Sequence, residues 1–389
     1  MADINPRFAE FQEFRVAVRD LCARFGSNYW QSVDEHAGYP EAFVKAITEA
    51  GWLAALIPEE YGGGGLGVTE ASVILEEINR SGANSGACHA QMYIMGTLLR
   101  HGSPAQKQKY LPEIAAGRLR LQAFAVTEPT TGSDTTQLKT RAEKKGNGYV
   151  VNGQKVWISR AAHSDLMLLL ARTTPAAEAK SRADGVSVFL IDLRELKGNG
   201  VDIRPIDAMV NHNTTEVFFE DAFIPADSLI GEEGNGFKYI LSGMNAERCL
   251  VAAEANGNGR YFIRKAVDYV NERVVFGKPI GSYQGVQFPI AQAYMQLEAA
   301  DLMVRKATAM FDAGLPCGAE ANMGKLLSGE AVWACAEACF QAFGGFAFAR
   351  EYGVERKWRE ARLSRNGPVH PNMILNFIAQ HVLGLPRSY

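Results

Sequence analysis

Only six of the 389 residues are cysteine, at positions 22, 88, 249, 317, 335 and 339, and no two form a CxxC pair. Cys335 and Cys339 are spaced for one helix face, so reduced, partly buried thiols in an intracellular protein are expected. Neither sign of charge is in excess. Forty Lys and Arg face 43 Asp and Glu, a net charge of −3, which gives no sign of a nucleic-acid or membrane partner. No apolar run approaches the ~18 residues of a membrane helix. The opening MADINPRFAEFQEF lacks a basic segment followed by an apolar one and is too acidic for a transit peptide, so a cytoplasmic, unprocessed chain is the expectation. The seven histidines, at 36, 89, 101, 163, 212, 370 and 381, show no HxxxH or HExxH spacing, and no metal site is expected. GxSxG and P-loop motifs are absent, and the one GxGxxG spacing, Gly62 to Gly67, follows no clear strand, which leaves serine hydrolase, nucleoside-triphosphatase and Rossmann readings without local support. The run of four glycines in YGGGGLG, 61–67, precedes no Lys-Ser or Lys-Thr and follows no clear strand, so it reads as a surface connection.

What is present is an ordinary globular composition, 47% hydrophobic and 21% charged, on a chain long enough for two or three domains or one large composite. Its hydrophobic period changes twice. Residues 7–25, 41–50, 69–81, 84–101 and 104–117 carry helical spacing, with Gly117 as a stop. From 122 to 232 the period shortens: LMLLLAR, VSVFLIDLR, VDIRPI and TTEVFFED read as strands between turn residues. GYVVNGQKVWIS, 148–159, reads as two short strands around an Asn152-Gly153 turn, since both turn residues tolerate positive φ. A β-barrel or sandwich of about a hundred residues is expected there. From 236 onward the runs are long and amphipathic again, as in an antiparallel helix bundle. No period of 20–50 residues recurs. The expectation is an α+β protein divided as 1–121, helical; 122–232, β; and 233–389, a helix bundle.

Two stretches stand out chemically. AFAVTEPTTGSDTTQLKT, 123–140, offers hydroxyls and backbone N–H groups in a tight turn; it reads as a cradle for a polar cofactor edge or as an ordinary polar loop. Trp157, close to it through the hairpin, reads as core or as a flat wall against a planar ring. GMNAERCLVAAEANG, 243–257, is an apolar helix that nevertheless holds Glu247, Arg248 and Glu254. Seven residues are almost two turns, so the two acids share a face about 10 Å apart, and only one of them can reach a single reacting carbon.

AVTEPTTGSD, VNGQKVWIS, ERVVFGKPIGSYQGVQF, QAFGGFAFAREYGVERKWREARL and HGSPAQKQKYLPEIAAG together resemble the acyl-CoA dehydrogenase family, in the right order over nearly the whole chain. The resemblance implies a flavoprotein with a helical N-terminal domain, a middle β-domain and a C-terminal four-helix bundle. It implies FAD as cofactor, an acyl-CoA substrate, electron-transfer flavoprotein as partner, and a homotetramer or dimer. Carried over motif by motif, Phe124, Val126, Thr127, Gly132 and Ser133 would line the flavin, with Ser133 also near the acyl-CoA. Trp157, Ile158 and Ser159 would flank its ring system. Arg273, Phe276, Gln284, Gln341, Gly344 and Gly345 would contact the FAD of a neighbouring subunit. Gly344 and Gly345 also read simply as a helix stop. His370 and Asn372 fall where the family contacts FAD, with unusual residue types. Asn245, Arg248 and Gly367 would lie near the acyl-CoA.

The family removes an α-proton with a carboxylate while the β-hydrogen leaves as hydride. Most members carry that glutamate in the C-terminal loop. Here the loop reads REARLSRNGPVHPN and Pro368 stands in its place; no carboxylate follows Glu360. Some members place the glutamate directly before an arginine on an adjacent helix, and Glu247-Arg248 matches that arrangement. Glu254 then reads as an ion-pair or interface residue. Proline has no N–H to offer the thioester carbonyl, which leaves Gly367, Val369, or the flavin ribityl hydroxyl with another donor. The expected activity is FAD-dependent α,β-dehydrogenation of an acyl-CoA. The alternatives are the same fold with lyase or monooxygenase chemistry, or an acyl-CoA-binding protein without flavin. Gly367 in place of a bulky residue favours branched, long or cyclic acyl groups.

Overall fold

A computed structural model describes residues 11–387. The chain runs α1 (Gln12–Ala23), α2 (Ser27–Glu35), α3 (Glu41–Glu49), α4 (Val68–Arg80), α5 (Gly86–His101), α6 (Pro104–Ala115), β1 (Leu121–Ala125), β2 (Arg141–Lys145), β3 (Gly148–Ser159), β4 (Leu166–Arg172), β5 (Val186–Asp192), a single turn α7 (Leu193–Leu196), β6 (Val201–Pro205) and β7 (Thr214–Pro225). It continues with α8 (Gly236–Glu272), the short pair β8 (Val274–Val275) and β9 (Lys278–Pro279), α9 (Gln284–Asp312), α10 (Gly318–Phe343), α11 (Val354–Asn366) and α12 (Pro371–Phe377). The expected helix at 7–25 is α1; its first four positions lie outside the described residues. The sequence pattern missed α2, which buries only Trp30 and so has almost no apolar stripe to read.

The chain forms two compact units, one of residues 37–66 and 86–244, the other of 11–36, 67–85 and 245–387. In the first unit the seven strands form one curled sheet in the order β1-β4-β2-β3-β7-β6, with β5 on β4. β4 is apolar from Leu166 to Ala171 because both its faces are covered. Leu166, Leu168 and Leu170 face a core shared with Ile94, Leu98, Leu111 and Ile114 of α5 and α6. Met167, Leu169 and Ala171 face a second core with Val151, Phe189, Val217 and Ile224. α6 begins at a capping box: Ser103 accepts from the Gln106 N–H at 3.2 Å and the Gln106 side chain accepts from the Ser103 N–H at 2.9 Å.

The hairpin expected at Asn152-Gly153 is not there. Residues 148–159 form one continuous strand, and the tight turn lies at Gly146-Asn147, where Lys145 pairs directly with Gly148. Strand β7 pairs along β3 from Gly148 to Ser159, and that long partner overrides the local turn preference. Gly153 instead marks a register shift against β7, and Asn152 exchanges two 3.0 Å hydrogen bonds with Asp221.

The second unit is helical. Tyr261, Phe262, Leu297, Val332, Cys335, Cys339, Phe343 and Val354 share its core, contributed by α8 to α11. All six cysteines are buried and none is in a disulfide. Helix α10 has the length and hydropathy of a membrane span, and its Val332, Cys335, Cys339 and Phe343 pack in the core shared with α9 and α11. A buried ionic network crosses the unit. Arg15 meets Glu76 at 3.1 Å and Glu77 at 2.7 Å, and Arg260 meets Glu76 at 2.8 Å and Glu298 at 2.5 Å.

Candidate active site

In the β-unit the loop after β1 is tied down from within. Glu128 is buried and accepts the Lys139 N–H at 2.7 Å, the Thr140 N–H at 2.9 Å and Lys155 Nζ at 2.9 Å. Lys155, fully buried, also donates to the Val126 carbonyl at 3.0 Å. Val156 N–H donates to the Thr127 carbonyl at 2.9 Å. The Thr-Thr-Gly-Ser-Asp loop is thus stapled to the strand that carries Trp157-Ile158-Ser159. Burial pushes the Lys155 amine down, to about 8, against the pull of Glu128. The sequence reading passed over this pair; its only signal was the glutamate at the start of the TEPTTGSD turn.

Trp157 sits at a second β-bulge, between Lys155 and Ile158, with φ 61°. Positive φ is costly for a bulky residue. The ring is 60% exposed, while Val156 and Ile158 on either side are buried. Ile158 uses its carbonyl to accept the Thr215 hydroxyl at 2.8 Å, and Ser159 ends the ladder opposite Thr214. Gly132 and Ser133 are exposed, with no hydrogen-bond partner for their N–H groups among the described residues. Phe124 is half-buried and meets Tyr93 edge-on at 5.9 Å.

In the helical unit Glu247 lies on α8, 8% exposed, in the field of Arg248. Arg248 donates to the Asn245 side chain at 3.0 Å, and its buried Nε has no partner among the described residues. Burial pushes the Arg248 pKa down, with Glu247 opposing. Asn245 also hydrogen-bonds the Cys317 thiol. Two turns on, the Glu254 carboxylate accepts the Ser85 hydroxyl, and Ser85 accepts from Asn79 at 2.5 Å. Glu360 is engaged by Lys357 at 2.6 Å and Arg356 at 2.7 Å.

The loop after α11 divides its donors. Gly367 N–H caps α11 by donating to the Leu363 carbonyl at 3.1 Å, so its amide is committed, contrary to its candidacy as a thioester donor. Space beside its Cα is open. His370 caps α12, with Nδ1 accepting the Asn372 N–H at 3.3 Å. At the far end of α8, Arg273 lies 5.8 Å over the Phe346 ring and has no carboxylate partner among the described residues. Phe276 is 93% exposed, and Gln284, Gln341, Gly344 and Gly345 are exposed too. Gly344 ends α10 at φ 56°, so the helix-stop reading of this glycine holds.

Family models for the N-terminal, middle and C-terminal domains of acyl-CoA dehydrogenase match residues 9–118, 123–222 and 234–383. The acyl-CoA dehydrogenase FadE12 of Mycobacterium tuberculosis is 36% identical over 386 residues, covering 98% of this chain and 97% of its own. The chain belongs to the acyl-CoA dehydrogenase family. A solved glutaryl-CoA dehydrogenase with glutaryl-CoA bound superposes with a TM-score of 0.90 at 32% identity, over 97% of this chain and 96% of that one. An FAD complex of PigA gives a TM-score of 0.88 at 27% identity, over 96% and 97%.

As an acyl-CoA dehydrogenase the chain is an FAD-dependent oxidoreductase acting on acyl-CoA thioesters. Its residues suit such a cofactor. The β-unit presents an exposed flat indole, open N–H groups at Gly132 and Ser133, and hydroxyls at Thr127 and Ser159. The helical unit presents an arginine without a carboxylate and an open glycine pair, which suit a pyrophosphate.

Proposed function

We propose that this dehydrogenase uses Glu247 as its base. The observation that carries this reading is the burial of Glu247 beside Arg248 on α8, in a helical unit whose C-terminal loop carries no acid. Glu254 is engaged by Ser85, Glu360 is locked between two cations, and the loop at 367–370 has no acid. Glu247 is 8% exposed on a stretch of α8 in which Ala246, Cys249, Leu250 and Val251 are buried too, and a buried carboxylate suits a proton acceptor. Bound FAD supplies the hydride acceptor for the β-hydrogen. The chain's own residues take the α-proton at a Glu247 carboxylate oxygen, hold Arg248 beside it, and keep it from bulk water. Phe124, Val126, Thr127, Gly132, Ser133, Trp157, Ile158 and Ser159 are assigned to the flavin. Arg273, Phe276, Gln284, Gln341, Gly344, Gly345, His370 and Asn372 are assigned to the dinucleotide, and Ser133, Asn245, Arg248 and Gly367 to the acyl-CoA. Electron-transfer flavoprotein as acceptor, assembly as a homotetramer or dimer, and a cytoplasmic location belong to the same proposal, as do the domain limits at 121/122 and 232/233.

The test is Glu247→Gln. The variant is expected to bind FAD and acyl-CoA as the wild type does, yet to lose anaerobic flavin bleaching by roughly a thousandfold. Bleaching at the wild-type rate would remove Glu247 from the role. The absence of bleaching by any acyl-CoA in the wild type would remove the dehydrogenase reading.

A further inference from the structure

Lys325 is a buried cation for which the chemistry above has no use. It lies on α10 and is 1% exposed. Its hydrogen-bond partner is uncharged: Nζ donates to the Val369 carbonyl at 3.1 Å. No carboxylate lies within ion-pair distance of it among the described residues. Glu330, one turn further along α10, pairs with Arg365 at 3.1 Å. Burial and the nearby Arg248 both push the Lys325 amine down, to about 8, with Glu330 opposing. An ammonium held without a counterion is costly, so its place asks for a role.

The packing around it suggests one. Gly329, four residues on and so on the same face, lets α10 approach the end of α11. A Cβ there would stand 3.1 Å from the Ser364 carbonyl oxygen and 3.4 Å from the Arg365 Cα. Lys325 therefore reaches past the end of α11 into the loop beyond it. That loop is tied at both ends, by Gly367 to Leu363 and by the His370 cap of α12. Between them Pro368 has no N–H, and the Val369 N–H has no partner among the described residues.

We propose that Lys325 is a positioning residue, which grips the Val369 carbonyl and thereby fixes the Gly367–His370 loop so that the Val369 N–H serves as the chain's donor to the thioester carbonyl. The proposal rests on the dehydrogenase reading, because only an acyl thioester developing enolate character needs such a donor. Of the two loop amides left open by the sequence, Gly367 is spent on the helix cap.

The test uses the FAD-loaded enzyme with Lys325→Met, which keeps the length and removes the donor, and Lys325→Arg, which keeps a charged donor. Hydrogen exchange of the peptide covering 364–372 is read by mass spectrometry, alongside kcat and KM. In K325M the loop amides are expected to exchange about tenfold faster with the rest of the bundle unchanged. Its kcat is expected to fall about a hundredfold with KM nearly constant. K325R should recover much of the protection and part of kcat. Wild-type exchange in K325M overturns the clamp, whatever the activity. Faster exchange with unaltered kcat overturns the donor role. Should K325M fail to fold, K325R and Lys325→Gln carry the same comparison, and unchanged loop exchange and kcat in both overturn the proposal. The exchange readout does not depend on the dehydrogenase reading, so failure of that reading, seen as no acyl-CoA oxidation by the wild type, is told apart from failure of the clamp.

Discussion

Glu247 and Glu254 share a helix face and a residue type, and only their neighbours separate them. Ser85 spends its hydroxyl on Glu254, and Asn79 backs Ser85; Glu247 has Arg248 in the next position. No helical period could assign these roles, because Ser85 lies 169 residues away from Glu254. Gly367 illustrates the same limit. Its small size was plain in the sequence, whereas the use of its N–H at the end of α11 was not. Its backbone, at φ −127° and ψ 169°, is extended and suits any residue, and no atom stands within 4 Å of a Cβ placed there. Gly367→Tyr is therefore expected to fold with a melting temperature within a few degrees of wild type. If Gly367 widens the acyl site, the variant loses activity on branched or long acyl-CoAs by about tenfold or more relative to short straight ones. Equal losses across an acyl-CoA panel would show that this position does not gauge the chain.

At the scale of elements, strand β3 and the loop after β1 behave as one part. Glu128 and Lys155 join them where no water competes, so breaking the pair exposes the cost of a lone buried charge. Lys155→Met should destabilise the β-unit by about 3 kcal/mol in denaturant unfolding and weaken FAD binding in equilibrium titration. The double variant Glu128→Gln/Lys155→Met should recover part of the stability. Wild-type FAD affinity in K155M would mean that the loop keeps its shape without the staple. This same strand is where local sequence signals misled. Asn-Gly is a strong turn former, yet β7 pairs along the whole of residues 148–159 and turns Gly153 into a bulge. The positive φ of Trp157 is equally non-local in origin, since it follows from the second bulge against β7.

Across the molecule, stability leans on buried charge as well as on apolar cores. Glu360 is the sharpest case: burial opposes its ionisation, but Lys357 and Arg356 outweigh burial and hold the carboxyl down at about 2. A carboxyl depressed on folding stabilises above its unfolded pKa, near 4.5. That contribution disappears as the pH falls from there toward 2, because the unfolded chain then binds the proton first. Glu76 is held at about 2 as well, by Arg15, Arg260 and Arg305 working against burial. Stability should therefore drop steeply between pH 4.5 and 2, with Glu360 alone contributing on the order of 3 kcal/mol. Glu360→Gln should begin less stable at neutral pH and show a shallower acid limb in chemical unfolding followed by circular dichroism. An acid limb parallel to that of the wild type would remove Glu360 from this account.

Hydrophobic period and family motifs, both written along the chain, determined the order of helical, β and helical zones, the flavin and the thioester chemistry. Those signals are local, or are shared with relatives over short runs, and they survive without knowledge of the partners in space. Tertiary structure alone decided which strand flanks β3, where its bulges fall, that Glu128 and Lys155 staple a loop, and that Gly367 spends its N–H on a helix. It alone brought Lys325 to Val369. Each of these depends on residues distant in sequence competing for the same hydrogen-bonding groups in a buried place, where an unmet donor or charge costs more than any local preference returns.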